Sequence, residues 1–249
     1  MKRLSKIVTF IAFAGYGIGQ SVVVPNTNAG ATGNDTSGTL NPPLSGELQI
    51  VIAPSQLPSG TVNITGFAFR PAPGLGALSL TLVGSVHVSN SPNWPNSTGH
   101  TLISNTFSNN VGGNNTLVSS GTATMSGAAC ATPGPCSFTN PLVFTTPFTY
   151  NGTNGPLLLD LQASSFGSPT GQMDVIDCPN TSCTINSLFA TPLGTSTGSI
   201  NAGSSIIQLT YTTSTSSVPS TPAPPSVYLT LLGLTVLGFY LVARRFQVG

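Results

Sequence analysis

Apolar and polar residues alternate with a period of two through most of the chain between Glu47 and Thr212. In Ala77 to Ser89, Leu78, Leu80, Leu82, Val86 and Val88 fall on one parity and Ser79, Thr81, Ser85, His87 and Ser89 on the other, a period no helix satisfies. Leu48, Ile50 and Ile52 alternate with Gln49 and Val51 in the same way. Between Thr61 and Arg70 the phase changes: Val62 and Ile64 share one parity, Phe67 and Phe69 the other. Gly66 sits at the change and predicts a β-bulge that re-aims the second half toward the same core. Further strands are expected at Thr101 to Ser104, Thr116 to Met125, Leu142 to Tyr150, Pro156 to Ala163, Gln172 to Ile176 and Ser205 to Thr212, with a short turn of helix at most in Leu102 to Asn109. Turn formers such as Asn151-Gly152, Asn154-Gly155 and Pro133-Gly134-Pro135 separate them. Roughly nine short strands with turns every 8 to 12 residues predict an all-β domain over 47–212, an antiparallel β-sandwich of jelly-roll form.

The pattern fails at both ends, for different reasons. Residues 22–46 are rich in Gly, Asn, Thr and Pro without apolar periodicity, which predicts a flexible leader with one short strand at Val22 to Val24. Residues 213–226 are Ser, Thr and Pro and predict an extended linker. Residues 1–21 have the secretory layout of Lys2, Arg3 and Lys6, the apolar Ile7 to Ala14, and a cleavage site near Gly17-Ile18-Gly19; an uncleaved N-terminal anchor is the alternative. Val227 to Ala243 is apolar and would span about 26 Å as a single transmembrane helix. Arg244 and Arg245 follow it in a basic cytoplasmic tail, 244–249.

Charge turns these segments into a topology. Five of the six Lys and Arg residues lie in the two terminal segments, which the positive-inside rule keeps cytoplasmic, so residues 22–226 are expected outside. That exported part carries Arg70 against Asp35, Glu47, Asp160, Asp174 and Asp177, a balance that argues against nucleic acid as a partner. The four cysteines agree with an oxidising compartment. Of three possible pairings, Cys130 with Cys136 and Cys178 with Cys183 is the economical one, closing two small loops.

The C-terminal 32 residues, VPSTPAPPSVYLTLLGLTVLGFYLVARRFQVG, resemble the PEP-CTERM sorting signal of Gram-negative bacteria: a Pro-rich motif, an apolar helix and a terminal basic cluster. The resemblance implies recognition of Pro222, Ala223, Pro224, Arg244 and Arg245 by an exosortase-type enzyme, with Ala223 standing where the family motif has Glu. It also implies a cell-surface or matrix setting linked to biofilm and exopolysaccharide. ELQIVIAPSQLPSGTVNITGFAFRP, HTLISNTFSNNVGG and PLVFTTPFTYNGTNGPLLLDLQ resemble an uncharacterised domain that recurs before such tails; this implies an address and a fold but no activity.

Candidate chemistry is sparse, and no cofactor is expected. Gly194 to Gly198 matches G-x-S-x-G formally, but a nucleophile elbow at Ser196 needs a strand before, a helix after, and an acid and a His downstream. The last acid is Asp177, and His87 and His100 both precede Ser196. Asp174 and Asp177 are candidate calcium ligands without EF-hand spacing. Glu47, Asp160, Asp174 and Asp177 are the acids from which a glycosidase pair would have to come. Trp94, the sole tryptophan, lies in SPNWPNSTGH and is a candidate glycan contact; packing over a sandwich edge is its ordinary role. The expectation is an exported structural or interaction protein, with a carbohydrate-binding module and a secreted hydrolase as alternatives.

Overall fold

The computed structural model describes residues 19–37, 44–96, 99–166, 171–178 and 183–213. Residues 1–18 of the expected signal segment, the span 227–243 and the sorting residues Pro222, Ala223, Pro224, Arg244 and Arg245 lie outside them, whereas Gln20 and Ser21, expected at the end of the signal segment, open β1 and pair with β13. Among the described residues no helix is long and apolar enough to cross a membrane. The strands are β1 (Gln20–Val24), β2 (Asp35–Ser37), β3 (Leu44–Ile52), β4 (Thr61–Phe69), β5 (Leu78–Asn90), β6 (Thr116–Gly127), β7 (Leu142–Asn151), β8 (Leu157–Phe166), β9 (Met173–Asp177), β10 (Ile185–Ala190), β11 (Ser199–Asn201), β12 (Gly203–Ser205) and β13 (Ile207–Thr213).

All ladders between them are antiparallel. A four-stranded sheet has the order β1-β13-β4-β7, a six-stranded sheet β11-β10-β3-β8-β5-β6, and a small sheet β12-β9-β2. One core joins the two large sheets: Val62, Ile64, Phe67, Phe69, Phe148, Tyr150 and Leu209 on one side pack with Ile50, Ile52, Leu80, Val86, Leu159 and Leu161 on the other. The expected strand alternation supplies these residues directly, because alternate positions of a strand share one face.

The phase change in β4 is a bulge, as its sequence requires. Register slips between Ile64 and Gly66 against β7, and between Thr210 and Tyr211 of β13. Val62, Ile64, Phe67 and Phe69 are consequently all buried in the same core. A Cβ at Gly66 would lie 2.4 Å from the Leu142 carbonyl oxygen, so the bulge needs glycine for close approach. Pro147 is accommodated because β7 is an edge strand, where a missing N–H costs no ladder bond.

Three expectations need correction. The described part of the 22–46 leader is built into the domain: the expected strand at Val22 to Val24 lies in β1 and pairs with β13, β2 pairs with β9, and β3 begins at Leu44 rather than Glu47. Its polar composition hid this, because main-chain carbonyls do the anchoring. The Arg70 guanidinium donates from Nη1 to Asn28 O (2.6 Å) and from Nη2 to Ala31 O (2.7 Å), while its Nε binds Asp174 Oδ2 at 2.8 Å. Second, Thr101 to Ser104 forms no strand, only a bridge between Leu102 and Trp94, while the short helical turn expected within Leu102 to Asn109 is found at Phe107–Asn110. Third, β10 was not anticipated, since Ile185, Asn186, Ser187 and Leu188 are all buried and show no alternation.

Candidate functional site

Both cysteine pairs are bonded as the short loops suggest, Cys130 to Cys136 and Cys178 to Cys183, with Cα separations of 5.4 and 5.7 Å. Loops this small contribute about 2 kcal/mol each in the chain-entropy model. Replacing Cys130 and Cys136 together by Ser should therefore lower unfolding free energy by about that amount in a denaturant titration.

The remaining sequence candidates disperse, with one exception. Ser196 is exposed between β10 and β11, so no helix follows it, and the loop's main chain is engaged with Phe107 N and Asn105 O. The elbow reading is thereby excluded, and Ser196→Ala should leave any activity unchanged in a hydrolase assay. Asp174 is 1% exposed, with Oδ2 on Arg70 and Oδ1 accepting from Gly33 N; Asp177 is exposed at odd spacing on the same strand and so faces the other way. They do not converge on a calcium ion. Among the described residues no group of three or more His, Cys, Asp or Glu side chains is disposed to hold a metal. Trp94 is half-buried, and one face of its indole is stacked on the His100 ring at 3.7 Å and 6°.

The exception is Glu47 and Asp160, which the β3–β8 register brings together. Gln49 stands opposite Asp160 and Glu47 opposite Gln162, while His87 of β5 faces Asp160 from the other side. All lie on the sheet face away from the main core. Asp160 is 1% exposed; Gln162 Nε2 donates to its Oδ2 at 2.9 Å, and its Oδ1 is buried without a donor. Glu47 is half-buried on the same face, with its Oε1 3.5 Å from Gln49 Nε2. Burial, then the Asp160 charge and its hydrogen bond, push the Glu47 carboxyl up to about 8. Burial likewise raises Asp160, against hydrogen bonds from Gln162, Glu47 and Gln49 and the attraction of His87. Both carboxyls are thus held toward the neutral form by their burial, Glu47 further so by the Asp160 charge.

A cap covers one side of the pair. The excursion 99–115 between β5 and β6 lays Ile103 and Phe107 on Val51, Leu158 and Leu188, a second apolar cluster on the outer face of the sheet. Gln49, fully buried, joins cap to pair: its Nε2 donates to Phe107 O (3.2 Å) and reaches Glu47 Oε1 (3.5 Å), and its Oε1 accepts from Asn110 Nδ2 (3.0 Å). Asn110, also fully buried, knits the cap by accepting from Ser104 N (2.8 Å) and Asn93 Nδ2 (2.9 Å). Glu47 and Gln49, Phe107 and Asn110, and Asp160 and Gln162 come from the three separate stretches quoted above.

A second concave feature, a cleft of about 380 Å³, lies among β2, β9, β10, β11 and β12, lined by Asp35, Asp177, Ser187, Phe189, Asn201 and Ser204 among others. It is an open recess of mixed polar and apolar lining, Leu48, Met173 and Ile200 among the latter, and holds no assembled catalytic set. No family model, curated protein or solved structure matches the chain.

Proposed function

We propose that this chain is an exported interaction protein of the bacterial cell envelope, a jelly-roll domain tethered by its C-terminal segment and released where an exosortase-type enzyme recognises the Pro222-Ala223-Pro224 signal. The observation that carries the reading is the pair of local disulfides, which persist in oxidising compartments and are rare in the cytosol. The start of β1 supports it: cleavage after Gly19 leaves the whole edge strand from Gln20 intact. For the jelly roll, the support is nested pairing, β1 with β13, β3 with β8, β4 with β7 and β5 with β6, as in a long hairpin rolled on itself. Membrane and extracellular polysaccharide are the partners this address implies. Protease added to intact cells should degrade the domain or find it already in the medium; a protected protein in the cytosolic fraction would end the proposal.

The alternative, a carbohydrate-binding surface module, draws on the half-buried Trp94 ring, of which His100 covers one face. Trp94→Ala should weaken retention on an exopolysaccharide column by the ~1 kcal/mol typical of a stacking aromatic, about fivefold, if that ring is the platform. Undiminished retention would remove Trp94 from consideration.

A further inference from the structure

We propose that the cleft between the small sheet and the β10–β11 edge of the six-stranded sheet binds an alkylammonium ion, an amine cation carried on an apolar stem. Its volume of about 380 Å³ falls within the ~300 to 1,000 Å³ of small-molecule sites.

The two walls differ in character, and each suits one part of such a ligand. One wall is the open end of the main core: Leu48, Met173, Ile176 and Phe189 belong to that core and also line the cleft, as does Ile200, which is 43% exposed. An aliphatic stem laid against them leaves water, which is favourable in proportion to the apolar area covered. The other wall carries two carboxylates. Asp35 of β2 pairs with Val175 of β9, and Asp177 lies two residues further along β9, so both acids stand on one face of the small sheet as diagonal neighbours. Both are exposed. The main chain of Asp177 is held by Asn34, whose Oδ1 accepts from Asp177 N and whose Nδ2 donates to Asp177 O, each at 2.7 Å, while its carboxylate accepts from no described residue. Ser204 of β12 lines the cleft too; it is 4% exposed, and its hydroxyl has no hydrogen-bond partner among the described residues.

Charge selects the cation. Among the described residues the charged side chains are Asp35, Glu47, Arg70, Asp160, Asp174 and Asp177, of which Arg70, Asp160 and Asp174 are each 1% exposed. The accessible charges there are therefore all acidic, and two of the three meet at this cleft. A cleft lined by charge of one sign beside a low-dielectric wall concentrates the opposite ion. A bare metal ion would use the acids and leave the apolar wall wet, and a neutral apolar molecule would do the reverse. An amine on an apolar stem uses both, whether it comes from a free diamine or from a lysine side chain. The site is a property of the folded domain and stands independently of the export reading.

Calorimetric titration of the full chain tests it, using the five-carbon diamine cadaverine, Nα-acetyl-lysine amide, and pentanediol as the uncharged body of the same length. Both amines should bind saturably at a single site, the tighter of the two naming the source. An exposed ion pair contributes up to about fivefold, so Asp177→Asn should weaken cadaverine binding about fivefold. Asp35→Asn together with Asp177→Asn should weaken it more than about tenfold, as should exchange of cadaverine for pentanediol on the unaltered chain, a comparison that needs no variant to fold. No saturable binding of either amine, pentanediol binding as tightly as cadaverine, or a double variant that titrates like the wild type would overturn the site.

Discussion

Arg70→Met is expected to destabilise the domain by about 3 to 5 kcal/mol, lowering Tm by roughly 6 to 20 °C for a domain of this size. The cause is what remains behind. Arg70 is 1% exposed and satisfies the Asp174 carboxylate and two main-chain carbonyls at once; without it Asp174 is a buried, unpaired charge, and Asn28 O and Ala31 O lose their donors. Removing one partner of a buried pair costs more than removing both, so Arg70→Met with Asp174→Leu should recover part of the loss. Arg70→Lys should not, because an ammonium lacks the planar fork that reaches three acceptors in different directions. Thermal unfolding of the four proteins checks the cycle, and limited proteolysis should cut the single variants first between Asn26 and Asp35.

Phe67→Ala is expected to cost a further ~3 to 5 kcal/mol in its own background, through lost burial and the cavity left between the sheets. Phe67 is fully buried, meets the Phe69 ring edge-on at 5.5 Å and 84°, and lies 6.1 Å from the Phe144 ring. Its inward position exists only because the bulge at Gly66 shifts the phase of β4. Val143→Ala on the neighbouring strand is the control: that side chain is 67% exposed and its loss should stay within about 0.5 kcal/mol. Equal effects of the two substitutions in a urea titration would contradict the placement of β4 in the core.

Legibility in the sequence followed the range of the forces involved. β5 and the bulge of β4 were readable because period and phase are local properties of ten or so residues. β10 was not, because a strand buried on both faces with Asn186 and Ser187 has no period to detect. The leader was misjudged because its attachment depends on main-chain carbonyls, which every residue has, meeting a side chain 39 to 42 positions away. The carboxyl pair needed the β3–β8 register, which no window on either strand contains. One local signal did exist: Glu47 with Gln49, and Asp160 with Gln162, are polar residues at i and i+2 within otherwise apolar strands, the spacing that puts both on one face. Two such strands paired in register make a polar cluster.

The central claim is that the domain functions outside the cytoplasm, and the redox and terminal state of the native protein tests it most directly. Protein from the envelope and medium fractions of the source cells, acid-quenched and alkylated without reductant, would be measured by intact mass spectrometry. The account predicts a chain beginning near Gln20 whose four cysteines take up alkylating agent only after reduction. A chain that retains Met1 to Gly19 and is alkylated at all four cysteines without reductant would contradict it.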